Sequence, residues 1–526
     1  MPPSAPSSER AEPAIGEAAL RQTPLWTRAV VRADVAARDV RLDGACHAVM
    51  LQWTGGAFLT AFALRLGAGP TLIGLLAALP LVVRLTQLYT SWRIERAGHW
   101  RRSAFVGAAL GRGGPLLLLP LALLPAGALP DAARQGWLVG VLVLTGAGAA
   151  LFDIAWLTWM AELVPPGVRG AFFARRNRVT GLAGLLGALL GAFAMDRWRA
   201  AHAGGGGGAA EEMRAYGALF AAAAVVGLLG LRWLRRVPDP RRTESRAEGP
   251  TLRETLTVPV RDAAFRPMLR FGAAWGAAMG IAAPFFAVYA LETLRMSLLA
   301  ITATTALMTL VTAASQRHFG RLADRFGTKT VLRAGTLLYV LTPLPWLVAT
   351  PASWWSLWGP LALLHVGSGL AMAAVDLTMN PLVLKLAPEG RRASYLASYG
   401  AVFAAAQAVA PLAGGALLVA LRAGGAEERV VFGALFAAAS LLRLGAVPAL
   451  ARVHEPEAAS VGRMLRVVGR ARARRAAQTP LARVLPVEPA LTATYAHLAR
   501  IAEFVAREPV PGGRPGGAAG AVRPAR

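Results

Sequence analysis

Gly320-Arg-Leu-Ala-Asp-Arg-Phe-Gly-Thr-Lys329 is a short charged stretch bounded by glycines, with apolar runs on both sides, near 295–316 and 331–350. A weaker copy, Ser91-Trp-Arg-Ile-Glu-Arg-Ala-Gly-His-Trp100, stands between two apolar runs of the first half. A charged hairpin loop that recurs once per half predicts a duplicated bundle of membrane helices. That architecture points to transport.

Composition agrees. The chain has 526 residues, 55% of them hydrophobic and only 16% charged, against roughly 25% charged in an average soluble domain. Runs of ~20 apolar residues are long enough to cross a ~30 Å hydrocarbon core. No water is present there to satisfy the backbone, so the crossings must be helices. The formal charge of +27 comes almost entirely from arginine, with lysine only at 329 and 385. Those arginines cluster in loops, where an anionic leaflet attracts them, so nucleic acid is not an expected partner. Cys46 is the single cysteine and allows no intrachain disulfide.

The expected fold is all-α and polytopic, with twelve transmembrane helices in two pseudo-symmetric six-helix halves. The first-half spans are Gly44–Leu66, Thr71–Ser91, Ser103–Leu123, Gly136–Met160, Val179–Met195 and Ala215–Leu234. Those of the second half are Phe271–Thr293, Met296–Gln316, Val331–Ala349, Leu357–Leu377, Leu396–Leu421 and Val431–Ala451. Arginine-rich loops alternate with arginine-poor ones, which places both termini in the cytoplasm of a bacterial inner membrane. The domains follow: a cytoplasmic tail over 1–40, a half over 41–236, a charged Pro-rich linker over 237–267, a second half over 268–452, and a basic tail over 453–526. Leu20–Val40 reads as an interfacial helix. Met464–Arg475 reads as a helix on the inner leaflet, and Pro489–Glu508 as another amphipathic helix.

The halves share an ungapped repeat. Asp153 and Asp376, Pro165 and Pro388, Arg169 and Arg392, and Gly191 and Gly414 are each separated by 223 positions. Parallel repeats with a site between them are an established transporter plan.

The pattern Gly320-x-Leu322-x-Asp324-Arg325-x-Gly327-x-Lys329 resembles the signature loop of the major facilitator superfamily. Its copy keeps Glu95, Arg96 and Gly98 but lacks the leading glycine. Trp159-Met-Ala-Glu-Leu-Val-Pro165 and Ala283-Pro-Phe-Phe-Ala-Val-Tyr289 resemble uncharacterised bacterial members, and the likeness covers roughly residues 40–452. The resemblance implies secondary transport, with the loop latching the cytoplasmic side. Gly320 would permit close helix approach, and Gly327 a backbone turn. Asp324 would meet the N-terminal end of a neighbouring helix and reach toward Arg175–Arg178, and Glu95 toward Arg391–Arg392. One departure weakens an antiporter reading: the fifth span lacks the proline of a Gly-Pro-x-x-Gly-Gly pattern, and Ala410-Pro-Leu-Ala-Gly-Gly415 occurs in the eleventh instead.

Charges inside the bilayer cost at least ~2.5 kcal/mol on insertion scales and usually face the bundle interior. Arg84, Arg112, Asp153, Asp376 and Arg443 each fall about nine residues from a cytoplasmic end, ~13 Å deep at 1.5 Å per residue. Asp153 can pair with Arg112 or Arg84, and Asp376 with Arg443. Such groups either couple protons and orient substrate, or fix helix packing. The resemblance places spans one, four, seven and ten along the cavity. Gln52 and its neighbours Trp53 and Thr54, with Trp156, Trp275, Tyr289 and Asn380, are the pocket candidates. His47 and His365 are lone intramembrane histidines that either carry protons or sit satisfied in the core, the second being the expected reading.

No metal-ligand cluster, Walker pattern or Ser-His-Asp constellation emerges. The chain reads as a monomeric, non-enzymatic, cofactor-free secondary transporter of a small molecule, with protons as a candidate co-substrate and anionic lipid as surroundings. The alternative is a membrane sensor that retains the transporter fold.

Overall fold

The structure, a computed structural model, describes residues 25–85, 100–125, 127–164, 166–202, 208–238, 252–389, 391–455, 458–477, 493–494, 496–498 and 500. Among the described residues it is all-helical. The chain divides into two compact units, Met1–Leu252 with Met296–Thr302, and Arg253–Arg295 with Ala303–Arg526.

The first unit contains α1 (Leu25–Thr54), α2 (Gly56–Arg65), α3 (Pro70–Leu85), α4 (Trp100–Gly113), the short α5 (Leu119–Leu123), α6 (Asp131–Leu163), α7 (Pro166–Ala201) and α8 (Gly208–Leu234). The second contains α9 (Leu252–Arg261, its first residue falling in the first unit), α10 (Arg266–Gly280), α11 (Ala283–Val288), α12 (Leu298–Phe326, whose first turns cluster with the first unit), α13 (Thr328–Leu341), α14 (Pro345–Val348), α15 (Trp354–Leu386), α16 (Arg392–Ala423), α17 (Glu428–Ala451) and α18 (Val461–Ala477).

Ten helical stretches among the described residues are long and apolar enough to cross a membrane, from Arg101–Leu123 to Glu428–Ala451. They correspond to the third to twelfth expected spans. A shorter apolar helix, Pro70–Val83, occupies the second. The first is built differently from its expectation. Helix α1 begins at Leu25, so the segment expected as a separate interfacial helix is continuous with the span. The span then breaks at Gly55–Gly56, where Gly56 adopts φ +52°, a conformation glycine accepts at no steric cost.

Helix α7 displays the logic of a lipid-facing element. Leu182, Leu186, Leu190 and Phe193 are exposed on one stripe, while Ala188, Ala192 and Met195 are buried on the other. An exposed apolar stripe of this kind is a liability in water and is what a helix in hydrocarbon requires.

The repeat seen in sequence reappears in packing. In the first unit α1 packs on α7 and α8, and α4 on α6; in the second α10 packs on α16 and α17, and α13 on α15. Glycines set these crossings, because backbones approach where no side chain intervenes. A Cβ on Gly107 would lie 2.6 Å from Phe152 N, and one on the corresponding Gly335 would lie 2.8 Å from Ala374 Cβ. A Cβ on Gly191 would meet the Trp53 ring at 2.5 Å, and one on Gly414 would meet Ile281 O at 2.1 Å. The first span of each unit is also interrupted at a matching place, at Gly55 in one and at Ile281–Ala282 in the other. Discontinuous helices of this type expose backbone groups where transporters place their sites.

Candidate functional site

The first unit holds a polar cluster within its helices. Arg112, near the end of α4, donates from Nη1 to Asp43 Oδ1 at 2.5 Å and from Nη2 to Asp43 Oδ2 at 3.2 Å, and Gly227 O accepts a third bond at 3.2 Å. Both side chains are sealed, at 1% and 2% exposure. The guanidinium also lies 5.0 Å from the Phe152 ring. This corrects the expected pairing of Arg112 with Asp153. An apolar run that starts at Gly44 leaves Asp43 outside the span, whereas α1 carries Asp43 well inside a continuous helix.

Asp153 is half-buried on α6, one turn before Trp156. Trp156 is 7% exposed and carries the Arg176 guanidinium over its ring at 4.2 Å. Asp43 and Asp153 both lie within electrostatic reach of Arg176. His47 sits 5.7 Å from Phe152, which in turn lies 6.3 Å from Trp156. Asp43, His47, Phe152, Asp153, Trp156 and Arg176 thus form one neighbourhood. Of these, sequence alone marks only Asp153 and Trp156 as site candidates. Arg176 reads there as one of a run of loop arginines, and its place inside α7 is visible only in the fold.

The remaining first-unit candidates are less concentrated. Gln52 is exposed on α1. Trp53 donates from Nε1 to Gly187 O at 2.7 Å, and Thr54 bonds back to Met50 O. Both therefore serve the α1–α7 crossing and the approach to the break. The side chain of Arg84 lies outside the described residues, as do Glu95, Arg96 and Gly98.

In the second unit Asp376 and Asn380 are exposed one turn apart on α15. Arg443 is 2% exposed on α17 and donates to Tyr339 O and Thr342 Oγ1, both at 3.3 Å. It also lies 5.6 Å from the Tyr339 ring. This corrects the expected Asp376–Arg443 pair: Arg443 turns into the α13–α17 crossing. Trp275 is 2% exposed in the core, between Phe271 and Tyr339. Tyr289 is equally buried, at the start of the π-helical turn Tyr289–Thr293, among Trp346, Phe432 and Phe436. His365 is buried with its Nδ1 2.7 Å from Leu361 O.

The signature stretch has a structure of its own. Gly327 adopts φ +94° and starts α13, as its expected turn requires. Gly320 lies inside α12, and a Cβ there would meet Leu377 only at an ordinary 3.6 Å, so it sets no tight crossing in this unit. Asp324 and Arg325 are exposed, and Asp324 makes no hydrogen bond or ion pair among the described residues. The N-terminus of α13 is capped from the tail instead. Glu455 accepts from Lys329 N at 2.6 Å and Thr328 N at 3.3 Å, and Lys385 Nζ donates to it at 2.7 Å. Burial opposes its charge, yet the Lys385 bond and the two backbone N–H groups hold the carboxyl below its ordinary range. Lys329 Nζ donates to Ala451 O at 2.8 Å.

Helix α18 follows. Its Val461 and Met464 are buried with Phe326 and Val331, while Arg463, Arg466 and Arg470 are exposed. Its apolar face is therefore covered by protein, not left for acyl chains as its amphipathic pattern implies. The expected helix over Pro489–Glu508 lies largely outside the described residues.

Residues 44–302 and 270–492 match the profile of the Major Facilitator Superfamily. The chain belongs to this superfamily. No curated protein sequence matches it. Solved transporters of similar fold include the nucleoside transporter NupG, at 10% identity over 79% of this chain and 98% of that one, with a TM-score of 0.59. A D-xylose-proton symporter is 19% identical over 80% and 98% of the two chains, with a TM-score of 0.56. A bacterial homologue of the human lysosomal transporter Spinster, in an inward-facing unoccupied conformation, is 14% identical over 91% and 99%, with a TM-score of 0.54. At these identities the likeness is one of fold. The superfamily accounts for the multi-pass membrane architecture, the signature stretch and the internal repeat. Among the described residues no group of three or more His, Cys, Asp or Glu side chains is placed to hold a metal ion.

Proposed function

We propose that this member of the superfamily is a secondary active transporter. It moves a small solute across the bacterial inner membrane by alternating access, with both termini in the cytoplasm, as a monomer and without enzymatic activity. One observation carries the reading: carboxylates at repeat-equivalent positions, Asp153 and Asp376, stand within apolar helices α6 and α15. A mid-span carboxylate is costly to insert and is retained where an ion or substrate needs it.

In this proposal Asp153 or Asp376 takes up the coupling proton. The stretch Gly320–Lys329, with Glu95, Arg96 and Gly98, gates the cytoplasmic side. The loop arginines face anionic headgroups.

The test is solute flux into proteoliposomes under an imposed proton gradient. Accumulation that collapses with a protonophore supports proton-coupled transport. A protein that binds ligands yet passes none of them under any ion gradient is a sensor, and the transport reading fails.

A further inference from the structure

We propose that Arg176, laid on the Trp156 ring, binds an oxyanion group, carboxylate or phosphate, of the transported solute. The inference rests on the transport reading and names the substrate class that the first unit accepts.

Two arginines lie in the polar neighbourhood, and they differ. Arg112 is committed: both its Nη atoms meet Asp43, and Gly227 O takes a third bond. With 1% exposure it has no room for a ligand. Arg176 is half-buried. Its side chain has a 3.5 Å contact to Asn177 Oδ1, at the limit of a hydrogen bond, and its Nε has no partner. The ring of Trp156 supports the guanidinium from one side. The absence of a side chain at Gly44 lets α1 come close to the same guanidinium, since a Cβ there would lie 3.2 Å from Nε and 3.3 Å from Nη2. A planar cation so held, with donors unfilled, is preorganised for a planar oxyanion.

A second observation points the same way. Trp156 Nε1 is buried with no partner, although the residue is 7% exposed. His47 Nδ1 is also buried without one. An indole N–H can only donate, and so can a guanidinium. Unfilled buried donors cost free energy, and acceptor atoms relieve it. A carboxylate or phosphate supplies several strong acceptors, whereas an ammonium group supplies donors only.

The experiment measures thermal stability of the purified protein in detergent, at constant ionic strength, against benzoate, inorganic phosphate and benzylammonium. A saturable rise in Tm is expected with benzoate or phosphate, and which of them acts separates carboxylate from phosphate. Arg176→Gln should raise the half-saturating concentration roughly tenfold or more, as loss of a charge-assisted pair implies. Trp156→Phe, which keeps a ring but removes the N–H, should raise it by a smaller factor. Arg176→Lys should fall between wild type and Arg176→Gln, and shows that any loss is not misfolding. No saturable shift with either oxyanion overturns the proposal. So does an unchanged half-saturation in Arg176→Gln, or a response to benzylammonium alone. Oxyanion binding without flux would sink the transport reading and leave the subsite standing. Flux that is indifferent to Arg176→Gln would do the reverse.

Discussion

Asp43 and Arg112 close on each other through two parallel bonds of 2.5 and 3.2 Å, inside the first unit, with almost no exposure on either side. Gly230 makes the space: a Cβ there would stand 2.8 Å from Arg112 Nη1 and 3.0 Å from Asp43 Oδ1. The pair joins α1 to α4, and Gly227 O brings in α8.

Removing one partner of this pair leaves a buried charge uncompensated, at a cost of about 3–5 kcal/mol. Asp43→Asn and Arg112→Gln should each lower Tm in detergent markedly. The double variant Asp43→Leu with Arg112→Met should recover most of the loss, because apolar replacement of both charges removes the desolvation penalty as well. A double variant no more stable than the singles would show that the pair is not a closed unit.

Close helix crossings predict an asymmetry between the repeats. At Gly107 a Cβ would meet backbone atoms, Phe152 N at 2.6 Å and Gly148 O at 2.7 Å, and neither can yield without moving α4 from α6. At Gly335 the nearest atoms are side-chain carbons of Ala374 and Val375, at 2.8 and 3.1 Å. Gly107→Ala should destabilise by about 1–3 kcal/mol, as overpacking does, and Gly335→Ala by less. Thermal unfolding of the two variants side by side checks the order.

Glu455 predicts a pH dependence confined to the tail. Its folded carboxyl is held below the ordinary range, so folding gains stability from its ionised form. That gain is complete above the unfolded carboxylate pKa and disappears as pH falls through the lowered folded value. Amide protection in Val461–Ala477, taken relative to the intrinsic exchange rate at each pH, should therefore be high at neutral pH and fall in acid. Glu455→Gln should show the lower protection already at neutral pH. Equal protection in the variant would mean that the apolar contacts of α18 alone hold the tail.

Asp153→Asn and Asp376→Asn separate coupling from folding. Each removes one charge at nearly constant side-chain size, and Tm measured alongside transport separates loss of coupling from loss of fold. The variant at the coupling site should lose proton-driven accumulation and keep solute exchange between equal pools. If both variants accumulate solute like wild type, the carboxylates are not the coupling groups.

Much of the architecture is legible in the chain because the bilayer enforces it. A span needs length and apolarity, a loop needs charge, and a duplicated bundle repeats both; hence the spans, the repeat and the turn at Gly327 emerge from local pattern. The partners of the buried charges do not. Arg112 lies 69 positions from Asp43, Arg443 turns to Tyr339 and Thr342, and Glu455 caps a helix 126 positions earlier. Such choices depend on which helices glycine allows to touch, and on whether a charge lies inside a helix or at its end. The sequence determined which segments are buried in lipid, through the cost of leaving apolar surface in water or charge in hydrocarbon. Only the tertiary structure decided which charge neutralises which, because that depends on distances of a few ångströms between helices remote in the chain.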